Sequence, residues 1–275
     1  MNPHAEHSAS LVHVLQSLWS HRRLIVQMTR REIVARYQGS VMGMLWSLIT
    51  PIFMLTIYTF VFSVVFKARW GDTGVGQGEF AIVLFAGLIV HGFFAEMLGR
   101  APLLVLGNAN YVKKVVFPLE ILPFVQLLSA GFNALVSLAI LLVAQVIIMG
   151  HIPWTALWTP VVLFPLLVLT LAVGWVLASL GVFLRDVAQT MGLLTTVLLF
   201  LSPVFFPVES LPEFVRPWMH ANPLTFMIEQ LRDVLIFGRQ PHWLGWLIYL
   251  ILAWAAAAVG VFWFQKTRKG FADVL

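Results

Sequence analysis

Two ionisable residues, His91 and Glu96, lie in or beside a mostly apolar stretch of the chain. Because a charge is expensive inside a bilayer, such residues are functional candidates wherever they occur in membrane spans. A histidine and a carboxylate could pass a proton between them, as in a proton-coupled carrier. The two residues are five positions apart, so they do not share one face of a helix. The spacing therefore favours the alternative, in which His91 contacts a neighbouring helix and Glu96 lies at the membrane interface.

The sequence lacks the motifs of ATP binding and of common catalytic sites. It has no Gly-x-x-x-x-Gly-Lys-Ser/Thr phosphate-binding loop and no Gly-x-Ser-x-Gly nucleophile turn. Cysteine is absent, and the eight histidines are scattered apart from His4 and His7 near the N-terminus. We therefore expect a non-catalytic chain without a metal or cofactor of its own. Any ATP and Mg²⁺ would be bound by a separate ATPase subunit.

Aromatic and hydroxyl side chains recur in two of the apolar stretches. Aromatic rings can stack on the apolar faces of sugars, and hydroxyls form hydrogen bonds without adding charge, so together they suit a glycan channel. The alternative is ordinary helix packing, in which Ser and Thr are common interface residues. The candidate channel-lining residues are Trp46, Phe53, Thr56, Thr59 and Phe60 in the first stretch, and Thr195, Phe200, Ser202 and Phe206 in the other.

The apolar composition predicts the fold class. Hydrophobic residues make up 60% of the 275 residues and charged residues 11%, against about 45–50% and about 25% in soluble domains. A helical span needs roughly 20 apolar residues, because its backbone must satisfy its own hydrogen bonds in lipid. Gly150 and Pro153 interrupt the longest apolar stretch and predict a turn there. We predict an all-α integral membrane protein with six transmembrane helices, near residues 42–66, 80–98, 121–149, 158–183, 187–206 and 243–264.

The basic residues predict the orientation in the membrane. With six spans and a cytoplasmic N-terminus, most of the 17 Lys and Arg residues lie on the inner side, as the positive-inside rule requires. We expect no cleaved signal peptide, because the first 41 residues hold five arginines and no compact apolar core. The net charge of +5 suits contact with anionic membrane lipids rather than nucleic acid. The predicted parts are a cytoplasmic N-terminus (1–41), a six-span domain (42–264) and a cytoplasmic tail (265–275).

Three segments outside the spans carry structural signals. Apolar residues in 11–35 recur at helical spacing among basic ones, which predicts an amphipathic interface helix, with a solvated helix as the alternative. The inner loop 99–120 contains a candidate short helix that ends before Pro118, and the alternative is that it only anchors the next span. The outer segment 207–242 has five prolines. Asn222 can cap a short half-inserted helix there, although a surface loop is the alternative.

The order of several short motifs resembles one known family. The motifs are Arg31-Glu32-Ile33-x-x-Arg36-Tyr37-x-x-Ser40-x-x-Gly43-x-x-Trp46-x-x-x-x-Pro51, Asn108 to Lys114 with Phe117-Pro118, Leu184-Arg185-Asp186, Ser202-Pro203-Val204-Phe205-Phe206-Pro207 and Asn222-Pro223. The likeness covers about residues 11–275. It resembles the permease subunits of type-2 ABC exporters that move O-antigen, capsular polysaccharide or teichoic acid.

The resemblance implies a channel between two copies of the chain in the bacterial inner membrane, each bound to one cytoplasmic ABC ATPase subunit. It implies a cargo of polysaccharide linked to a polyprenyl diphosphate, with a lipid, a drug or haem as alternative cargoes. The implied coupling helix, which would contact the ATPase, comprises Asn108, Asn110, Tyr111, Lys113, Lys114, Phe117 and Pro118. The anionic diphosphate would meet Arg31, Arg36 and Tyr37 at the inner face. The implied outer gate comprises Pro207, Pro212, Asn222 and Pro223.

Overall fold

The regular structure of the described residues is helical, with turns and short loops between the helices. The computed structural model describes residues 10–65, 77–112 and 117–275, so the predicted coupling residues Lys113 and Lys114 lie outside the described residues. In chain order the α-helices are α1 (Leu11–Ser20), α2 (Arg22–Tyr37), α3 (Trp46–Tyr58), α4 (Gln77–Arg100), α5 (Ala109–Val112), α6 (Ile121–Met149), α7 (Thr159–Phe183), α8 (Val187–Phe200), α9 (Arg216–Ala221), α10 (Pro223–Leu235), α11 (Trp243–Thr267) and α12 (Phe271–Val274).

Five helical segments within the described residues are long and apolar enough to cross a membrane. Their mean hydropathy ranges from 1.8 to 2.6. The segments are Gly43–Phe62, Gly78–Leu103, Ile121–Met149, Trp154–Phe183 and Trp243–Val274. Long apolar helices are what a bilayer requires of a spanning segment, since lipid offers the backbone no hydrogen-bond partner. The prediction of an all-α, multi-pass membrane protein is therefore confirmed.

The predicted span at 187–206 differs from the other five. Its helix α8 has 14 residues, which at about 1.5 Å per residue gives about 21 Å, less than the roughly 30 Å of a hydrocarbon core. The helix ends before Pro203, which has no N–H to donate to the preceding turn. The chain then runs through turns to Phe206.

The sharp turn between α6 and α7 follows the sequence pattern. Gly150 ends α6 in the left-handed conformation with φ of +78°, and its N–H donates to the carbonyl of Val146. Glycine is favoured there because a side chain would strain that backbone. Pro153 follows in an extended conformation, so the chain reverses and begins the next span.

Helices α4 and α7 lie at the centre of the helix bundle, and the other helices pack around them. Most of α4 is buried. Near the C-terminal end of α7, a Cβ added to Gly181 would lie 1.9 Å from the carbonyl oxygen of Pro102. Such small residues let backbones approach closely where lipid supplies little driving force for association. By contrast, α3 and α8 lie at the edge of the bundle, and the residues of α8 are all exposed or half-buried.

The predicted amphipathic segment forms two helices, α1 and α2, that meet at His21. Four of its apolar side chains, Val14, Leu18, Ile25 and Met28, are buried against the rest of the chain. On the opposite side of the bundle, the predicted cap at Asn222 is present, since its Oδ1 accepts the N–H of Leu224 at 2.9 Å. These short helices place polar side chains at both ends of the spans.

Candidate functional site

A cluster of polar side chains joins the end of α2 to two spans. Nη2 of Arg36 donates to Oε1 of Glu96 at 2.5 Å, and both side chains are mostly buried. Nδ2 of Asn133 donates to both carboxylate oxygens of Glu96, at 3.0 and 3.3 Å. Tyr37 donates to Oδ1 of Asn133 at 3.3 Å, and Arg36 also reaches Ser129 at 3.3 Å. The cluster therefore pairs one positive and one negative charge at the end of the bundle where α2 ends.

This cluster lines one end of a cavity of about 440 Å³ between α2, α3, α4 and α6, hereafter the inner cavity. Its volume lies within the roughly 300–1,000 Å³ that small-molecule sites occupy. Aromatic rings and uncharged polar groups form much of its wall. The described lining includes Arg36, Tyr37, Trp46, Ser47, Thr50, Tyr58, Phe85, Phe93, Glu96, Asn133 and Ser137. The predicted entry residues Arg36 and Tyr37 thus meet the predicted channel residue Trp46 in one place.

His91 and Glu96 have separate hydrogen-bond partners. Nε2 of the buried His91 donates to the backbone carbonyl of Thr195 at 3.0 Å, which joins α4 to α8. Glu96 instead faces Arg36 and Asn133. The geometry favours a polar contact between helices for His91. Glu96 is held in an ion pair, which neither sequence interpretation anticipated.

The remaining predicted channel residues lie mainly on the open sides of α3 and α8. The side chains of Phe53, Phe60 and Phe200 are 62%, 58% and 62% exposed. Several hydroxyls bond to the carbonyls of their own helix, a local pairing that Ser and Thr commonly make. These pairs are Thr56 to Ile52, Thr59 to Leu55, Thr195 to Gly192 and Ser202 to Leu198. Phe206 is half-buried beyond the end of α8.

Ser202 is fully buried and connects the predicted channel to the predicted outer gate. Nδ2 of Asn222 donates to Oγ of Ser202 at 2.9 Å and to the carbonyl of Leu201 at 2.8 Å. The Asn222 side chain therefore caps α10 and holds the end of α8 at the same time. Pro223 begins α10, Pro207 lines a cavity beside α10, and Pro212 is exposed.

The described part of the predicted coupling loop contacts the interface helix α2. The ring of Tyr111 stacks on that of Phe117 with centroids 4.2 Å apart, and Arg31 donates to the Tyr111 hydroxyl at 3.3 Å. The Asn108 side chain donates to the carbonyl of Leu104 at 2.9 Å. Asn110 is exposed and Pro118 is half-buried. Arg31 thus lies beside the loop rather than inside the inner cavity.

Sequence reasoning missed a buried carboxylate, Glu120, just after this loop. Its side chain accepts hydrogen bonds from Oγ of Ser17 at 2.8 Å and from Nη1 of Arg268 at 2.7 Å. Arg268 also donates to the carbonyl of Phe117 at 3.0 Å. In addition, the indole N–H of Trp175 donates to the backbone carbonyl of Glu120 at 3.0 Å. One residue therefore connects the loop to α1, α7 and the end of the last span.

Arg232 in α10 is a second residue that the sequence did not single out. It is 3% exposed, and its guanidinium donates to the backbone carbonyls of Val83, Pro203 and Val204. A Cβ added to Gly87 would lie 2.6 Å from Nη2 of Arg232, so α4 leaves room for it. The available signal was its position on the buried, apolar face of α10, where an arginine needs several partners.

A larger cavity of about 980 Å³ lies beside α10 in the segment predicted to be external, hereafter the outer cavity. Burial raises the pKa of Glu229 in its wall to about 7, and the neighbouring negative charge of Glu209 adds to the rise. Burial also raises the pKa of Asp233, while Arg239 opposes that shift. At neutral pH, Glu229 is therefore close to its midpoint of ionisation.

The long apolar helices and their polar connections define a multi-pass helical membrane protein. The chain belongs to the ABC-2 type transporter family, whose sequence profile matches residues 23–236. It is 26% identical over 269 residues to the O-antigen export system permease protein RfbA of Myxococcus xanthus, covering 96% of this chain and 99% of that relative.

Two further relatives extend the comparison. A Klebsiella pneumoniae protein named O-antigen export system permease protein RfbA is 25% identical over 254 residues, with 92% of this chain and 95% of the relative covered. The polysialic acid transport protein KpsM of Escherichia coli is 22% identical over 216 residues, with 76% and 79% covered. The family resemblance predicted from the sequence motifs is therefore confirmed.

Proposed function

We propose that this chain is the membrane permease subunit of an ATP-driven exporter of polysaccharide. The similarity to an O-antigen export permease along 96% of this chain and 99% of the relative carries this proposal. A match of that extent covers nearly the whole chain, including the loop 99–120 and the segment 207–242, and does not depend on one shared motif. The chain itself is a non-catalytic subunit, and ATP and Mg²⁺ are bound by a separate cytoplasmic ATPase.

The proposed contact with the ATPase is the loop of Asn108, Asn110, Tyr111, Phe117 and Pro118, with Lys113 and Lys114. Two observations support this role. Asn110 is exposed, and the Tyr111 ring is held by Phe117 and Arg31. Because α2 contacts the same loop, a movement of the ATPase displaces the interface helix together with the spans, as a rigid-body transition requires.

The proposed active unit contains two copies of the chain. Exposed faces of α3 and α8 support this proposal, because they carry hydroxyl groups beside aromatic rings. A channel between two such faces would be lined by Trp46, Phe53, Thr56, Thr59, Phe60, Thr195, Phe200 and Phe206, and the buried Ser202 would support it from behind. In the same proposal, α8 and the turns that follow it complete a sixth crossing, so that both chain ends are cytoplasmic. The outer gate comprises Pro207, Pro212, Asn222 and Pro223.

The proposed cargo is a glycan linked to a polyprenyl diphosphate in a bacterial inner membrane. Its anionic diphosphate suits basic residues at the inner end of the spans. Arg31 is exposed on α2, beside the loop, and is available there. Arg36 and Tyr37 lie deeper on the same helix, in the inner cavity, where they contact the part of the cargo that follows the diphosphate.

Gene deletion in the source bacterium tests this function. We expect the deletion strain to lose surface polysaccharide and to accumulate lipid-linked glycan on the cytoplasmic side of its inner membrane. A plasmid copy of the wild-type chain restores the surface polymer. Unchanged surface polysaccharide in the deletion strain, with no intracellular glycan, would contradict the proposal.

A further inference from the structure

The inner cavity is electrically balanced. Among the described residues that line it, Arg36 and Glu96 are the charged ones, and they form an ion pair with 17% and 20% of their side-chain surfaces exposed. Arg36 is therefore not a free cation facing the cavity, in contrast to the role expected from the family resemblance. Its charge is already compensated by a carboxylate in direct contact.

The carboxylate of Glu96 is also fixed in place. Asn133 donates to both of its oxygens, and Tyr37 in turn donates to Asn133. A diphosphate placed beside Arg36 would lie next to this fixed negative charge. In the weakly polar surroundings of a membrane protein, that repulsion is much stronger than in water. The network therefore disfavours a strongly anionic ligand in the inner cavity.

The rest of the wall suits an uncharged polar ring. Trp46 and Tyr58 offer aromatic faces, while Ser47 and Thr50 carry uncharged hydroxyls whose oxygens can accept hydrogen bonds. Sugar rings combine an apolar C–H face, which stacks on aromatic rings, with hydroxyls that form hydrogen bonds with polar groups. A volume of about 440 Å³ leaves space for such a ring.

Resting on the proposed function, we propose that the inner cavity binds a neutral sugar unit of the exported glycan, whereas its diphosphate binds outside the cavity near Arg31. Arg31 lies five residues before Arg36 on α2, about 7.5 Å along the helix axis at about 1.5 Å per residue. One end of a lipid-linked glycan can therefore contact the inner cavity and Arg31 at the same time. Because only the glycosylated lipid fills the inner cavity, the permease should prefer it to the bare carrier lipid.

Equilibrium binding to the full-length permease in complex with its ATPase, in lipid nanodiscs, tests the proposal. The two probes are radiolabelled polyprenyl diphosphate and the same lipid carrying a neutral hexose disaccharide. We expect the glycosylated probe to bind at least tenfold more tightly. Trp46→Leu should remove most of that difference in affinity without weakening the binding of the bare lipid. Trp263→Leu is the matched control, because Trp263 is 40% exposed on another helix and Trp46 is 43% exposed.

A second variant gives a gain of binding, which unfolding cannot produce. Glu96→Gln leaves the charge of Arg36 uncompensated, so the bare diphosphate lipid should bind several-fold more tightly than it does to the wild type. Equal affinity of the two probes for the wild type, or equal weakening of both by Trp46→Leu, would overturn the sugar assignment. If that happens while the gene still restores surface polysaccharide, the exporter function stands and only the cavity assignment fails. If neither probe binds, the cavity assignment and the proposed polyprenyl diphosphate carrier both fail.

Discussion

Arg268, near the end of the last span, donates a hydrogen bond at 2.7 Å to the carboxylate of Glu120, which follows the proposed coupling loop. The two residues are 148 positions apart in the chain, and their side chains are 13% and 6% exposed. The same carboxylate holds Ser17 of α1. The carboxylate therefore links the segment that follows the loop to α1 and to the C-terminal end of α11.

Neutralising one member of this pair should destabilise the protein. Glu120→Gln leaves the positive charge of Arg268 buried without a counter-charge, a change that typically costs about 3–5 kcal/mol. We expect a clear fall in the thermal unfolding temperature of the purified chain in detergent. The double variant Glu120→Gln/Arg268→Gln should recover part of that loss.

Lys266→Gln is a surface control for the Arg268 half of this pair, since Lys266 is exposed at the same end of α11 and both replacements remove one positive charge. Its unfolding temperature should stay near that of the wild type. An unfolding temperature of Glu120→Gln equal to that of the control would show that the ion pair contributes little.

Arg232 should hold the outer segment closed against the spans. Arg232→Lys offers a single ammonium group in place of a guanidinium that reaches three carbonyls. Each buried carbonyl left without a donor costs about 1–3 kcal/mol. The chain has no cysteine, so Val208→Cys introduces one label site at a position that is 3% exposed.

Maleimide labelling of Val208→Cys should become several-fold faster when Arg232→Lys is added. Arg239→Lys serves as the control, because the Arg239 side chain is 66% exposed and its contact with Asp233 is 3.4 Å long. Labelling that is equally slow in both double variants would contradict a closing role for Arg232.

Much of the fold, but little of this polar network, could be predicted from the sequence. The bounds of α6 followed from an uninterrupted apolar stretch that ends at Gly150, and the cap at Asn222 followed from its neighbour Pro223. These features depend on local sequence. The partners of Glu120 lie 103 and 148 residues away. Residue spacing along the chain therefore could not predict these contacts.

In the candidate site, too, the sequence predicted features that depend on neighbouring residues but not contacts between distant ones. Arg36 was recognised as a basic residue at the inner face, but its neutralisation by Glu96, 60 residues away, was not. Helix α8 was predicted as a full span because its apolar composition continues to Phe206. Its helix ends earlier, where Pro203 removes a backbone donor.

The close approach of α7 to the segment after α4 makes a stability prediction. In Gly181→Ala the new Cβ would lie 1.9 Å from the carbonyl oxygen of Pro102, a backbone atom that cannot turn aside. We expect a large fall in the unfolding temperature and in the amount of folded protein. Gly99→Ala meets nothing within 4 Å and should leave stability unchanged or raise it, since alanine favours helices by about 1 kcal/mol over glycine. Equal stability of the two variants would contradict the packing.

The raised pKa of Glu229 predicts a pH dependence of stability. Burial and Glu209 lift the pKa from its ordinary 4.5 to about 7 in the folded chain. Between these values the unfolded chain releases a proton that the folded chain retains, so the stability contributed by this group falls as pH rises from about 4.5 to about 7. Above that window the penalty is constant.

Glu229→Gln should therefore raise the unfolding temperature at pH 8 and change it little at pH 4.5. Glu213→Gln is the control, because Glu213 is exposed in the same outer segment. A Glu229→Gln effect of the same size at both pH values would contradict the raised pKa of the half-buried Glu229 carboxyl group.

ATP-dependent movement of glycan across a bilayer is the most direct test of the exporter function. The chain and its ATPase would be reconstituted in proteoliposomes with fluorescently labelled lipid-linked glycan, and access of a lumenal glycosidase to the glycan would be measured. We predict glycan cleavage that requires ATP hydrolysis, persists when a protonophore collapses any proton gradient, and stops when the ATPase is omitted. Cleavage that proceeds without the ATPase and stops with the protonophore would contradict the account and would indicate a proton-coupled carrier.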